Sequence, residues 1–366
     1  QVTDVYVVSS GENYPVIEKE PDDDGVYTVD HVAVVKPGKN YKPTDKVVDD
    51  KGNEYGKFLD EKGRFLNVIP PDPTTNDLEP YDSLPELEVI SDDWAHTSPS
   101  LERAGGGGAL MVWSDERNDD KDIYASRLGY NGSTIVMEWA DLEEEDYPTG
   151  GIPVAIAVGD QTSAKVTYYS EDYTVIVWQD ERHQYAYTFP DIFATFLDEE
   201  GNPASFYGDS GLPIVSNHDI DGNFNEQQPT SQKKPRVKAD SDGAFVIWND
   251  FRIDGSGDIY IQKITHENNG VWTSSSQLPF DGIAISQESG EQSNSRLTVD
   301  GNGGVYVVWE NDVDQEKNIN LKHLDTDGNS TYGDNGLIIC NAIGDQISPL
   351  VRKDGYGGAF MVWQDQ

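Results

Sequence analysis

Apolar runs in this chain are short and alternate with turns rich in Gly, Asp and Asn. No stretch keeps a 3.6-residue apolar period over a useful length, so strands are expected rather than helices. Four segments share one hairpin: AGGGGALMVWSDER (104–117), DSDGAFVIWNDFR (240–252), DGNGGVYVVWEND (300–312) and DGYGGAFMVWQD (354–365). A fifth, SEDYTVIVWQDER (170–182), keeps the second half and has Asp172 and Tyr173 where the others have glycines. Trp113, Trp178, Trp248, Trp309 and Trp363 therefore anchor a repeat of roughly sixty residues with loops of variable length.

Other parts of the unit recur in step. After the Trp comes a short strand: DIYASRL (122–128), DIFATFL (191–197), DIYIQKI (258–264) or NINLKHL (318–324). A polar turn follows, as in DEEGNP (198–203) and DTDGNS (325–330), and then a Gly-led apolar strand: GIPVAIA (151–157), GLPIVSN (211–217), GIAISQE (282–288) or GLIICNA (336–342). Upstream of the Trp, Gln161, Gln292 and Gln346 hold one shared slot. His96 takes it before Trp113, and Gln228 stands somewhat further from Trp248. Each unit reads as four strands, the requirement of a propeller blade, which cannot cover both its faces alone. The expected fold is all-β: a β-propeller of four-stranded blades over 84–366, five repeats with the last incomplete. The third strand of the closing blade is missing, so the chain is expected to continue past Gln366.

Residues 1–71 differ in kind. VYVVSSGENYPVIE (5–18) and VAVVKPGKNYKPTD (32–45) repeat a strand and turn without Trp, which suggests a small β-rich domain. Residues 72–83, DPTTNDLEPYDS, read as a linker.

Composition narrows the partners. The chain has 366 residues with 67 acidic and 26 basic side chains, a formal net charge of −41. Such a surface repels phosphate backbones and anionic lipid, so nucleic acid is not an expected partner. No apolar run suits membrane insertion. Cys340 is the one cysteine, which excludes an internal disulfide framework. The start at Gln1 without Met suggests a processed chain or a fragment, and the composition suggests an extracellular, cell-surface or virion-surface setting.

Three units carry Trp-x-Asp-x-Arg in full: Trp113/Asp115/Arg117, Trp178/Asp180/Arg182 and Trp248/Asp250/Arg252. A structural role is expected: Trp packs between sheets, Asp caps the turn, and Arg pairs with a carboxylate such as the Asp of the D-I-Y strand. The Trp309 unit has Asn311, Val313 and Asn318 at those places, losing Arg and strand Asp together. These motifs resemble the Trp-Asp-Arg β-propeller repeats of large secreted and cell-surface bacterial proteins. The resemblance spans roughly 84–366 and implies a propeller without a known catalytic role. In the first part, PGKNY and DEKGRFLNVI resemble small β-modules in tailed-phage structural proteins, which implies an assembly contact there.

Two loops have the oxygen ligands and turn glycine of a calcium site: Asp219, Asp221 and Asn223, and Asp325, Asp327 and Asn329. Neither has the closing Glu of an EF-hand, and turns closed by their own Asp and Asn side chains are the other reading. Ca²⁺ is thus the cofactor to test. The six His lack metal spacing, and neither the sialidase Asp-box nor G-x-S-x-G occurs. Tyr185, Tyr187 and Tyr207 could stack on sugar rings or fill a core, and Cys340 is expected as a small buried hydrophobe. The expected function is a non-enzymatic extracellular scaffold for assembly or adhesion, with protein assembly partners or glycans as ligands. The alternatives are a phage virion or filament subunit and a secreted carbohydrate-active propeller enzyme, whose paired carboxylates would sit at the central opening.

Overall fold

A computed structural model describes residues 5–8, 46–49 and 54–57, and 95–366 apart from 105–107, 131–134, 140–149, 171–172, 183–188, 216–230, 253–254, 273–281 and 314–315. The chain divides into two compact units, Gln1–Glu86 and Leu87–Gln366. In the first, β1 (Val5–Val8), β2 (Lys46–Asp49) and β3 (Glu54–Lys57) pair antiparallel in that order. The x-Gly-x-Asn-Tyr turns and the phage-like DEKGRFLNVI string lie outside the described residues.

The second unit is an all-β propeller of five blades, with no helix among the described residues. Blade 1 holds β4 (His96–Arg103), β5 (Ala109–Asn118), β6 (Asp120–Tyr130), β7 (Ile135–Met137) and β8 (Ile152–Ala155), the last two both pairing with β6. Blade 2 is the meander β9 (Gln161–Ser170), β10 (Tyr173–Asp180), β11 (Asp191–Leu197) and β12 (Leu212–Val215). Blade 3 is β13 (Gln232–Asp240), β14 (Gly243–Asp250), β15 (Asp258–Ile264) and β16 (Ile283–Ser286). Blade 4 is β17 (Gln292–Val299), β18 (Val305–Val313), β19 (Glu316–Leu324) and β20 (Leu337–Cys340). Blade 5 has two strands among the described residues, β21 (Gln346–Lys353) and β22 (Ala359–Asp365).

The second and third strands are apolar on both faces because each is sandwiched between neighbouring sheets. Every residue of β11, β14 and β15 is buried. The core is accordingly a series of interblade layers. Val112, Trp178 and Phe193 meet between blades 1 and 2, and Val177, Phe196 and Trp248 between blades 2 and 3. Ile261, Leu297 and Trp309 meet between blades 3 and 4, and Val308 and Val351 between blades 4 and 5. Trp363, on two-stranded blade 5, is only half-buried.

Blades 1 to 4 are each closed by a Gly-led strand. Gly211, Gly282 and Gly336 have φ of +71°, +64° and +74°. A Cβ there would lie 2.4, 2.7 and 2.8 Å from Cη2 of the Trp of the same blade, so only Gly lets the chain pass over the indole.

The first strands β4, β9, β13, β17 and β21 all contribute to the wall of one cavity of about 200 Å³ at the blade axis. All five also carry a bulge at their third residue: Ser98, Ser163, Lys234, Asn294 and Ser348 have φ between 48° and 59°, and strand pairing skips at each. Such a conformation costs a non-Gly residue about 1 kcal/mol or more. Neighbouring blades support it through the residue that follows the anchor Trp. Gln179 Oε1 accepts from the Lys234 N–H and Glu310 Oε1 from the Ser348 N–H, both at 2.8 Å. The bulge decides which residues farther along the strand face the axis.

Candidate functional site

The repeat motif forms a clasp at the end of each second strand. Trp113, Trp178 and Trp248 donate from Nε1 to Oδ2 of Asp115, Asp180 and Asp250 at 3.2, 2.7 and 2.8 Å. The guanidinium two residues on forks onto the same carboxylate, with Nε to Oδ1 at 3.0, 2.9 and 2.9 Å and Nη2 to Oδ2 at 2.5, 2.6 and 2.5 Å. Its own backbone N–H adds a bond to Oδ1. Arg117, Arg182 and Arg252 then lie 3.8, 4.2 and 4.3 Å over the rings of Tyr124, Phe193 and Tyr260.

Each clasp Asp accepts the backbone N–H two residues on, and the bidentate partner of each Arg is the Asp of its own motif. Two residues of strand let the side chain curl back, and the aromatic ring holds it there. Asp122 on the D-I-Y strand takes Asn118 Nδ2 (2.9 Å) and the Ala157 N–H (3.3 Å), and burial pushes its carboxyl up. Asp115 is different. Burial alone would raise it, but the bonds from Arg117 and Trp113 together hold it below the ordinary 3.8.

In blade 4, Asn311 replaces the Asp and turns to Gln292 Nε2 and Glu288 Oε2, leaving Trp309 Nε1 buried without an acceptor among the described residues. The Gln slot of blade 3 belongs to Gln232, which pairs with Asp250 as Gln161 does with Asp180. Gln228, read from sequence, lies outside the described residues. The tight Asp240–Gly243 turn shortens that hairpin and shifts the spacing.

The acidic turns close on themselves. Asp325 Oδ1 accepts from the Asp327 and Asn329 N–H groups at 3.0 and 2.8 Å, and its Oδ2 from Asn329 Nδ2 at 3.3 Å. Asp198 holds Asn202 in the same way. Each turn is also a platform for the preceding blade. The Trp139 ring packs on Gly201 and donates to Glu199 O (2.8 Å), and Trp272 packs on Gly328 and donates to Thr326 O (3.3 Å). Sequence spacing missed Trp139 and Trp272 because they lie outside the hairpin repeat. Among the described residues no group of three His, Cys, Asp or Glu is placed to hold a metal. Asp219, Asp221 and Asn223 lie outside the described residues, as do Tyr185 and Tyr187. Tyr207 is buried, its hydroxyl donating to Thr265 O (2.9 Å), and burial pushes its phenol far up; it fills a core and offers no sugar platform. Cys340 is half-buried on β20.

One cleft combines the residue types that handle sugars. Between blades 2 and 3, Tyr169, Tyr173, His266, Ser241 and the turn Asp198–Glu200 line an open space of about 600 Å³. The His266 ring stacks on Tyr173, with centroids 4.7 Å apart and planes at 15°. Asp198 is held by its turn, whereas Glu199 and Glu200 are exposed. At the axis the only carboxylate lining the wall among the described residues is Glu102, which accepts from Lys238 Nζ.

These features define a five-bladed β-propeller with an acidic, aromatic interblade cleft. No protein-family model and no curated protein matches the chain. Among solved structures it is similar to an endo-arabinase from Bacteroides thetaiotaomicron, with 12% identity over 73% of this chain and 88% of that one and a TM-score of 0.36. It is also similar to an α-L-arabinanase from Penicillium chrysogenum (11% identity, 75% and 80% covered, TM-score 0.37). A third is a GH62 α-L-arabinofuranosidase domain from Coprinopsis cinerea (15%, 73% and 82%, 0.34). At these scores the likenesses carry no argument about chemistry, and the fold rests on the strand pairing itself.

Proposed function

We propose that this chain is a glycan-interacting propeller and that the cleft between blades 2 and 3 is where the sugar docks. The carrying observation is the convergence of two tyrosines, a stacked histidine and free carboxylates in a cleft whose volume lies within the roughly 300–1,000 Å³ of small-ligand sites. Aromatic faces cover the apolar side of a sugar ring, and Glu199, Glu200 and Ser241 offer hydrogen bonds to its hydroxyls. Charge adds a setting: a body at −41 suits an extracellular, cell-surface or virion-surface protein.

Recognition is favoured over hydrolysis because, among the described residues, the axial wall has one carboxylate, already bonded to a lysine, where a glycosidase needs two. Glycoside hydrolysis is the second reading. It rests on the adjacent, exposed Glu199 and Glu200 at the mouth of the cleft.

A neutral and acidic glycan panel with paired turnover assays tests both. Tyr173→Ala is expected to weaken binding about tenfold, the effect of about 1.4 kcal/mol of lost stacking. Binding unchanged by Tyr173→Ala contradicts the cleft. Bond cleavage abolished by Glu199→Gln or Glu200→Gln replaces recognition with hydrolysis.

A further inference from the structure

Although acidic side chains outnumber basic ones 67 to 26, the wall of the axial cavity is cationic. Lys165, Arg236, Lys238, Arg296 and Arg352 reach it from four of the five first strands. Among the described residues only Lys238 has a carboxylate partner there, Glu102 of blade 1. The others donate to carbonyls beside them: Lys165 Nζ to Ala164 O (2.8 Å), Arg296 Nη1 to Ser295 O (2.9 Å) and Arg352 Nη1 to Val351 O (2.9 Å). The Arg236 side chain has no hydrogen-bond or ion-pair partner among the described residues.

Such crowding is unfavourable. Burial first, and Arg296 second, push Arg236 down to about 10. Burial and Arg236 push Lys165 down in turn, and burial with Arg352 lowers Arg296 against the pull of Glu310. Arg236 remains a cation at neutral pH. Among the described residues Lys165, Arg236, Arg296 and Arg352 form no ion pair and repel one another, whereas each buried Asp of the Trp-x-Asp-x-Arg clasps is matched. An anion between them would relieve that repulsion, and a guanidinium fork suits the paired oxygens of carboxylate, sulfate and phosphate. At about 200 Å³ the cavity is smaller than a drug-sized site, so it holds one charged group rather than a sugar chain.

We propose that the axial cavity binds a single oxyanion group, sulfate, phosphate or carboxylate, held by Lys165, Arg236 and Arg296. This site is separate from the interblade cleft, and its ligand is either a free anion or the charged substituent of a larger molecule.

Calorimetry and thermal melting of the full chain test it, titrating sodium sulfate and sodium phosphate against sodium chloride at matched ionic strength. Because sulfate stabilises proteins generally, the readout is the difference between the native chain and Arg236→Gln/Arg296→Gln. The native chain is expected to bind one anion saturably with a rising Tm, and the double variant to bind at least tenfold more weakly. Lys165→Gln alone gives the same comparison if the double variant does not fold. A monosaccharide sulfate and its unsulfated parent separate the sources: tighter binding of the sulfated sugar than of inorganic sulfate assigns the group to a glycan, and the reverse to a free anion. Equal responses of native and variant chains, or no response beyond that to chloride, would overturn the proposal.

Discussion

The strand-end clasps and the axial wall are both built from charged side chains repeated blade by blade, and they treat charge in opposite ways. In the clasp, Asp250 receives bonds from the Trp248 indole, the Arg252 guanidinium and the Arg252 backbone. At the axis, Lys165, Arg236, Arg296 and Arg352 face a common space whose one carboxylate among the described residues, Glu102, is bonded to Lys238. Matched charge in this molecule holds strands to sheets. Unmatched charge does nothing for the fold and is left for a ligand.

The comparison breaks first at Asp250. Asp250→Ala strips the partner from a buried indole N–H and a largely buried guanidinium at once, and the expected loss of stability is about 3–4 kcal/mol by denaturant titration. Gly282→Ala comes next, at about 2–3 kcal/mol, because the new methyl meets both the Trp248 ring and the Ile261 carbonyl at a positive φ. Blade 4 sharpens the contrast, since no Arg follows Asn311. Asn311→Ala should therefore cost less than the blade 3 change, about 1 kcal/mol, in the same titration.

Acid should act on the matched charges. Asp115 and Glu310 are held below their ordinary 3.8 and 4.5, Glu310 against burial by Lys317, the Ser348 N–H and Asn294. Their stabilising contribution is fully present above those ordinary values and is lost as pH falls through the lower folded values. A pH series of melts should show stability dropping below about pH 4.5, with Glu310→Gln losing part of that dependence.

Much of the propeller is legible in the sequence because its signals are local. The Trp anchors, the glycines at positive φ and the short apolar runs fix four strands per blade without reference to distant residues. Asp325 and Asn329 closing their own turn are legible for the same reason. The partner of each Arg is not, because curling back onto an Asp two residues away is a matter of side-chain geometry that spacing does not encode.

The axis is the least legible region. Which residues of a first strand face it depends on a left-handed bulge at Ser, Lys or Asn, where no glycine advertises the conformation. A net charge of −41 also conceals a local cluster of cations drawn from strands far apart in the chain. Tyr173 and His266 come together in the cleft only because blades 2 and 3 are neighbours.

The most direct measurement is the sign of two stability changes, Asp250→Ala and Arg236→Gln, by chemical denaturation in a chloride buffer free of sulfate and phosphate. Loss at Asp250 together with a gain of up to about 1 kcal/mol at Arg236, from relieved repulsion between like charges, is the expected result. A loss of more than about 1 kcal/mol at Arg236 would show that the axial cations serve the fold and would contradict the division between matched and unmatched charge.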